Sequence, residues 1–162
     1  MIGDIHKLRE MTQKEYSDKP YFMLGHSMGS FLIRQYMEMY GTGLAGVVVM
    51  GTGAQPAAAL FFGKLLCKLI AAFKGDDYRS SFVDNMAFGG YNKRFEPART
   101  DKDWLTRDEK IVDAYLANPL CTFRFTVNAY YHMFCGIEYA QKKENIKKIP
   151  KDLPLYLVAG AE

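Results

Sequence analysis

Tyr21-Phe22-Met23-Leu24-Gly25-His26-Ser27-Met28-Gly29-Ser30 decides the reading of this 162-residue chain. The apolar run Tyr21–Leu24, with Pro20 before it and glycine after it, predicts a strand buried on both faces of a parallel sheet. Directly downstream, Phe31, Leu32, Ile33, Tyr36, Met37 and Tyr40 form a stripe at helical spacing, closed by Gly41 as a C-terminal stop. Gly25-His26-Ser27-Met28-Gly29 therefore lies where a strand turns sharply into a helix. A Gly-x-Ser-x-Gly turn at that junction lifts its serine above the sheet edge in a strained backbone conformation. Residues two before and two after the serine must be small, because larger side chains would collide with each other or with neighbouring strands. Gly25 and Gly29 meet that need, and Ser30 keeps the next position small. Ser27 is thus the candidate nucleophile, placed where the helix dipole favours a developing oxyanion, and the backbone N–H of Met28 is a candidate donor to that oxyanion. Such a pentapeptide arises by chance on the order of a few per cent of the time in a chain of this composition. The plain alternative is a glycine-rich turn with an idle serine, and the strand before and helix after weigh against it.

Outward from this junction the chain keeps one rhythm and then loses it. Ile5, Leu8 and Met11 recur near helical spacing among charged residues, predicting an amphipathic helix over about residues 2–16 that Lys19-Pro20 stops. Leu44–Met50 reads as the next buried strand, ended by Gly51-Thr52-Gly53. Helix, strand, helix, strand with short turns is the signature of a parallel sheet covered by helices. From about Ala54 to Leu120 no strand is expected, only helical stretches between Gly- and Asp-rich turns. A helix over roughly Thr122–Gln141 then leads, past Pro150 and Pro154, to a third buried strand at Leu155–Gly160. The expected organisation is a core over 1–53, a helical cap or lid over 54–120, and a core continuation over 121–162. Insertions at the carboxyl ends of parallel strands sit over the binding crevice, which is why this one reads as a lid.

Gly25-His26-Ser27-Met28-Gly29-Ser30 resembles the elbow of the α/β-hydrolases of the lysophospholipase, monoacylglycerol lipase and serine aminopeptidase group. The order of the helix before the strand, the Val47–Met50 strand, the helical insertion and the Leu155–Gly160 strand resembles that group too, so the likeness covers nearly the whole chain. It implies hydrolysis of esters, and in some members amides, through Ser, Asp and His in that chain order beneath a helical cap. It also implies a partial fold, a short parallel sheet with flanking helices and a cap insertion. The group places its acid just after the strand that here is Leu155–Gly160, and its histidine after one more strand. This sequence ends at Ala161-Glu162. The group's early His-Gly segment, whose loop gives the second oxyanion donor, has no counterpart before Gly25. The expectation is a fold lacking both ends and a chain that is catalytically incomplete.

A working site needs a base for the serine proton and an acid to orient that base. Of the three histidines, His26 adjoins Ser27 and should point elsewhere, and His6 is expected on the outer face of the first helix. His132 sits among Tyr130, Tyr131, Met133 and Phe134 and reads as packed within its helix. Glu162 as the acid would have no following histidine to orient. Asp76-Asp77 reads as a turn at a helix start, since no histidine or third carboxylate stands at metal-ligand spacing; no metal or organic cofactor is implied. Cys67, Cys121 and Cys135, an odd number without C-x-x-C spacing, argue against a disulfide framework or a zinc site and fit a cytoplasmic protein. The first ten residues, charged from Asp4 onward, do not read as a signal peptide.

Charge excludes some partners. A net charge of +3 is too small to argue for nucleic acid, and Lys142–Lys148 mixes Glu and Ile among its lysines, as a solvated helix end does. Pro56–Phe73 carries Leu60, Phe61, Phe62, Leu65, Leu66, Leu69, Ile70 and Phe73, interrupted by Lys64 and Lys68. That interruption argues against a transmembrane helix. The stripe either packs on a core or lines an acyl pocket and touches a membrane surface. The aromatics Phe82, Phe88, Tyr91, Phe95, Trp104 and Tyr115 would suit an apolar acyl chain or the core of a small cap. The functional expectation is a serine hydrolase of small-molecule or lipid-like carboxylic esters. The competing expectation, motivated by the same missing residues, is a truncated, non-catalytic module that binds a partner or an apolar ligand, its three-stranded sheet leaving unpaired edges for the missing strands or another chain to cover.

Overall fold

A computed structural model describes residues 1–160. The first helix, α1, spans Ile2–Glu15, and Phe22–His26 forms β1. The second helix, α2, is Met28–Tyr40, and Gly46–Met50 forms β2. After Ala57–Lys74 (α3) come Ser81–Phe88 (α4), two short 3-10 turns at Tyr91–Phe95 and Asp103–Leu105, and Glu109–Ala117 (α5). Val127–Gln141 (α6), Lys143–Ile146 (α7) and the strand Leu155–Val158 (β3) complete the order. Both strand pairings are parallel, in the order β1-β2-β3, with Met23 opposite Val47 and Val49 opposite Leu157. The result is an α/β architecture with a short parallel sheet.

Parallel register puts paired residues on the same sheet face. Met23, Val47 and Val49 share one face and pack with Ile33, Tyr36 and Met37 of α2 into the core. The other face carries Phe22, Leu24, Val48 and Tyr156, and among these Phe22, Leu24 and Tyr156 are exposed. The expectation that β1 and β3 are buried strands is therefore corrected. Only β2, flanked by strands on both sides and covered by α2, is largely buried, whereas all of Leu155–Leu157 is exposed at the sheet edge.

Two other expectations change for physical reasons. Leu8 and Met11 point to solvent, and the side of α1 that faces α2 carries Ile2, Ile5, His6 and the buried Arg9. The Arg9 guanidinium donates to Tyr40 O at 2.8 Å and Thr42 O at 2.9 Å, satisfying carbonyls at the end of α2 that have no helical partner. Gly41 does follow α2, but with φ −66° it is right-handed rather than a left-handed cap. Glycine is required there for space, since a Cβ would lie 2.4 Å from Met37 O and 2.8 Å from Pro150 Cδ.

The chain divides into two compact units, Met1–Leu60 with Met133–Glu162, and Phe61–His132. The first holds the sheet, α1 and α2. Within the second, Cys67, Val83, Val112 and Val127 are buried, and Phe88, Tyr91 and Trp104 pack edge to face. Phe88 and Trp104 are thus half-buried in the unit's own packing, while Tyr91 between them, Phe82 and Phe95 remain exposed. Ser80, rather than Asp76 or Asp77, caps α4 by accepting from Val83 N–H at 3.3 Å.

Candidate active site

The strand-to-helix junction is built from its glycine upward. A Cβ on Gly25 would lie 2.4 Å from Gly29 O and 2.6 Å from Ile33 Cγ2, so only glycine lets the helix fold back so tightly against the end of β1. At Gly29 the same test meets nothing within 4 Å. The steric demand on the pair is therefore one-sided: Gly29 contributes its backbone, which is what Gly25 must leave room for. Ser30 is fully buried, and its hydroxyl donates to Ser27 O at 2.5 Å, closing the turn from below.

Ser27 stands at the apex with φ 51° and ψ −117°, and among the described residues no other non-glycine has positive φ. That conformation costs about 1–3 kcal/mol in a non-glycine residue and persists only where the surroundings enforce it. The enforcement is visible: Ser27 N–H donates to Met50 O at 3.0 Å, tying the turn to the end of β2, and Ser27 O accepts from Ser30 N–H at 2.9 Å. An ordinary capping serine has extended backbone and accepts an N–H from the first turn through its hydroxyl. Ser27 does neither, and its exposed hydroxyl is left for other work. Met28 opens α2, so its N–H lies in the first turn, where helical donors lack intrahelical acceptors.

Each remaining polar candidate has a definite place. His26 is exposed, and its ring flanks Gly51, where a Cβ would stand 3.6 Å from His26 Cδ2. His6 is not on the outer face of α1. It stacks on Tyr40 at 3.9 Å between centroids and bonds the Tyr36 hydroxyl at 2.9 Å, because α1 turns this side toward α2. His132 is exposed rather than packed, in the second unit, and lines an open cleft of about 150 Å³ with Cys67, Lys68, Asp76, Asn128 and Tyr131. Glu162 lies outside the described residues. Among the described residues, no cluster of three His, Cys, Asp or Glu is disposed to hold a metal ion.

Two groups on α2 escaped the sequence reading, which followed only the apolar stripe. Arg34 donates to Gly53 O at 2.8 Å, Thr52 Oγ1 at 3.3 Å and Ala140 O at 3.1 Å, joining α2 to the loop after β2 and to α6. One turn later Glu38 is 4% exposed, and neither carboxylate oxygen has a hydrogen-bond partner. Burial pushes its carboxyl up to about 7, against the opposing pull of Arg34 and Lys148. The signal was present as an Arg and a Glu four residues apart, a spacing that makes helical neighbours.

Comparison with known proteins gives a consistent picture. A family model described as serine aminopeptidase, S33 matches residues 1–162. Mouse (Mus musculus) monoglyceride lipase is 29% identical over 122 residues, which make up 74% of this chain and 34% of that protein. A thermostable carboxyl esterase from Bacillus coagulans, solved in complex with glycerol, superposes with TM-score 0.85 at 28% identity over 96% of this chain and 51% of its own. A lipase solved in an open form superposes with TM-score 0.73 at 20% identity, over 97% of this chain and 51% of its own, and shows likeness of fold alone. The chain thus spans about a third of the curated lipase and about half of the solved esterase.

Proposed function

Because the chain belongs to the serine aminopeptidase S33 family of α/β-hydrolases, we propose that it is the nucleophile-bearing part of a hydrolase of small or lipid-like carboxylic esters. The observation that carries this reading is Ser27, held at φ 51° where strand meets helix, with its hydroxyl excluded from helix capping. In the reaction, Ser27 Oγ attacks the ester carbonyl carbon as its proton passes to a base. The carbonyl oxygen becomes an oxyanion facing the Met28 N–H and the N-terminus of α2. Collapse expels the alcohol, which takes the proton, and leaves the acyl group on Ser27; water then releases the acid by the same steps.

No hydrogen bond to the Ser27 hydroxyl is found among the described residues, and His6 is engaged by Tyr36 and Tyr40. We therefore assign the base and its orienting acid to protein beyond the described residues. The 162-residue chain by itself is then inactive. The helical stretch over 54–120 is the cap in this reading, and the exposed apolar side of α3, with Phe62, Leu65, Leu69 and Phe73 beside Lys68, meets the lipid surface that presents the substrate. That no base meets Ser27 among the described residues also motivates a second reading, a non-catalytic module that keeps the fold and lacks the chemistry.

A fluorophosphonate probe, which reacts with activated serines, separates these readings. The 162-residue chain should stay unlabelled, while a longer polypeptide carrying its flanking sequence should label, and Ser27→Ala should abolish that labelling. Labelling of the longer protein that survives Ser27→Ala would move the nucleophile elsewhere. A longer protein that never labels would favour the binding module.

A further inference from the structure

Among the described residues, Arg34 makes the hydrogen bonds that tie the middle of α2 to the loop bordering Ser27. That loop, Gly51-Thr52-Gly53, starts from the β2 end to which Ser27 N–H is bonded, and Gly51 N–H continues across the sheet to Val158 O at 2.9 Å. Arg34 holds it through Gly53 O and Thr52 Oγ1. These are bonds from a full cation to neutral acceptors. One helical turn away, Glu38 has both oxygens buried and unpartnered. A buried carboxyl in this state is tolerable when neutral and costly when ionised, unless a cation comes to it.

Two cations bear on Glu38: Arg34 from α2 itself, and Lys148 from the segment after α7. Lys148 Nζ is already held by Asn145 Oδ1 at 2.8 Å and lies over the Tyr139 ring. The charged groups that α1 brings to α2 are engaged elsewhere, with His6 on Tyr36 and Tyr40, and Arg9 on Tyr40 O and Thr42 O. Arg34, four residues away on the same helix, is within side-chain reach of Glu38. A guanidinium–carboxylate pair is stronger than guanidinium bonds to neutral oxygens. We propose that Glu38 and the Thr52–Gly53 loop compete for Arg34, and that a single proton on Glu38 decides the competition. With Glu38 neutral, Arg34 clamps the loop beside Ser27; with Glu38 ionised, Arg34 swings to the carboxylate and the loop is released. Burial places this change near neutrality. Glu38 and Arg34 are positioning residues here, acting on the border of the site rather than on substrate.

The experiment is NMR of the full chain across pH, following the Glu38 carboxyl carbon, the Arg34 side-chain nitrogens and the amides of Thr52 and Gly53. All should shift together with one midpoint near neutrality. The exposed His26 ring lies against Gly51 at the head of the same loop, so the comparison with Glu38→Gln is decisive. In that variant the Arg34 signals should lose their midpoint, and the Thr52 and Gly53 amides should lose the change that moves with them. Glu38→Leu, which fills the site with an apolar group, should give the same result if Glu38→Gln does not fold. The proposal is overturned if Glu38 titrates while Thr52, Gly53 and Arg34 stay still, if Lys148 moves in place of Arg34, or if the Arg34 midpoint survives both substitutions. It makes no use of esterase activity, so an inactive protein leaves it fully testable.

Discussion

At the scale of single residues, the two glycines of Gly25-His26-Ser27-Met28-Gly29 are not equivalent. Sequence reasoning assigned both the same steric duty because the pattern is symmetric about the serine. The turn is not symmetric: the helix brings the Gly29 carbonyl over Gly25, and nothing stands over Gly29. Gly25→Ala should therefore destabilise the chain by about 1–3 kcal/mol or more, as forced overpacking against rigid backbone does. Gly29→Ala, in the first turn of α2, should be neutral or stabilising by up to about 1 kcal/mol. Chemical denaturation of the two variants checks the contrast, and equal losses would show that the turn packs otherwise. Glu38 gives a second prediction, on pH. Its carboxyl is raised from 4.5 to about 7 in the folded chain. Between those values the folded state keeps a proton that the unfolded state has lost, so stability falls as pH rises through the window and levels off above it. The span corresponds to a loss of up to roughly 3 kcal/mol. Glu38→Gln should match the parent near pH 4 and exceed it by up to about that amount near pH 8. Urea midpoints that remain parallel across pH would contradict the assignment.

At the scale of elements, existence was legible and orientation was not. The extent of α1 followed from helical spacing, but of Ile5, Leu8 and Met11 only Ile5 lies on its buried side. That side is fixed by Arg9, whose guanidinium meets the Tyr40 and Thr42 carbonyls that α2 leaves unsatisfied. Hydrophobic periodicity does not register a buried cation, because its stabilisation comes from acceptors presented by another element. The helix α3 is the converse case. Its apolar pattern left core packing and surface contact both open, and the structure leaves Phe62, Leu65, Leu69 and Phe73 exposed, Phe73 at 85%. No helix among the described residues is long and apolar enough to cross a membrane. Over its 18 residues α3 has lysines and no acidic residue, which suits a surface bearing anionic headgroups. Flotation with vesicles of phosphatidylcholine, with and without phosphatidylglycerol, should show binding that rises with the anionic lipid. Phe62→Ser and Leu69→Ser should each lower it about tenfold, the loss expected when one large apolar side chain no longer enters the interface. Binding that ignores these substitutions, or no binding at all, would remove α3 from the lipid contact.

At the scale of the whole molecule, the parallel pairing of the three strands was legible because helical stretches separate the three apolar runs. What covers the sheet was not legible, since an apolar run reads the same whether its faces are buried by this chain or by something else. The structure separates the two cases. Met23, Val47 and Val49 lie beneath α2, whereas Phe22 and Tyr156 on the opposite face are 64% and 67% exposed. Alternating apolar residues on both faces are what a strand covered twice requires. Large exposed apolar groups on a sheet face and edge are also a hazard for self-association. The esterase that superposes so closely is about twice as long as this chain, so the added sequence of a longer protein is the natural cover. Phe22→Thr and Tyr156→Thr then have opposite expected effects in two contexts. In the 162-residue chain they should reduce association in sedimentation velocity and leave the denaturation midpoint nearly unchanged, as exposed sites do. In a protein carrying the flanking sequence, each should cost about 2–4 kcal/mol, the range for truncating a buried aromatic side chain. Equal small effects in both contexts would mean that this face stays open, and a partner other than the protein's own chain would then have to cover it.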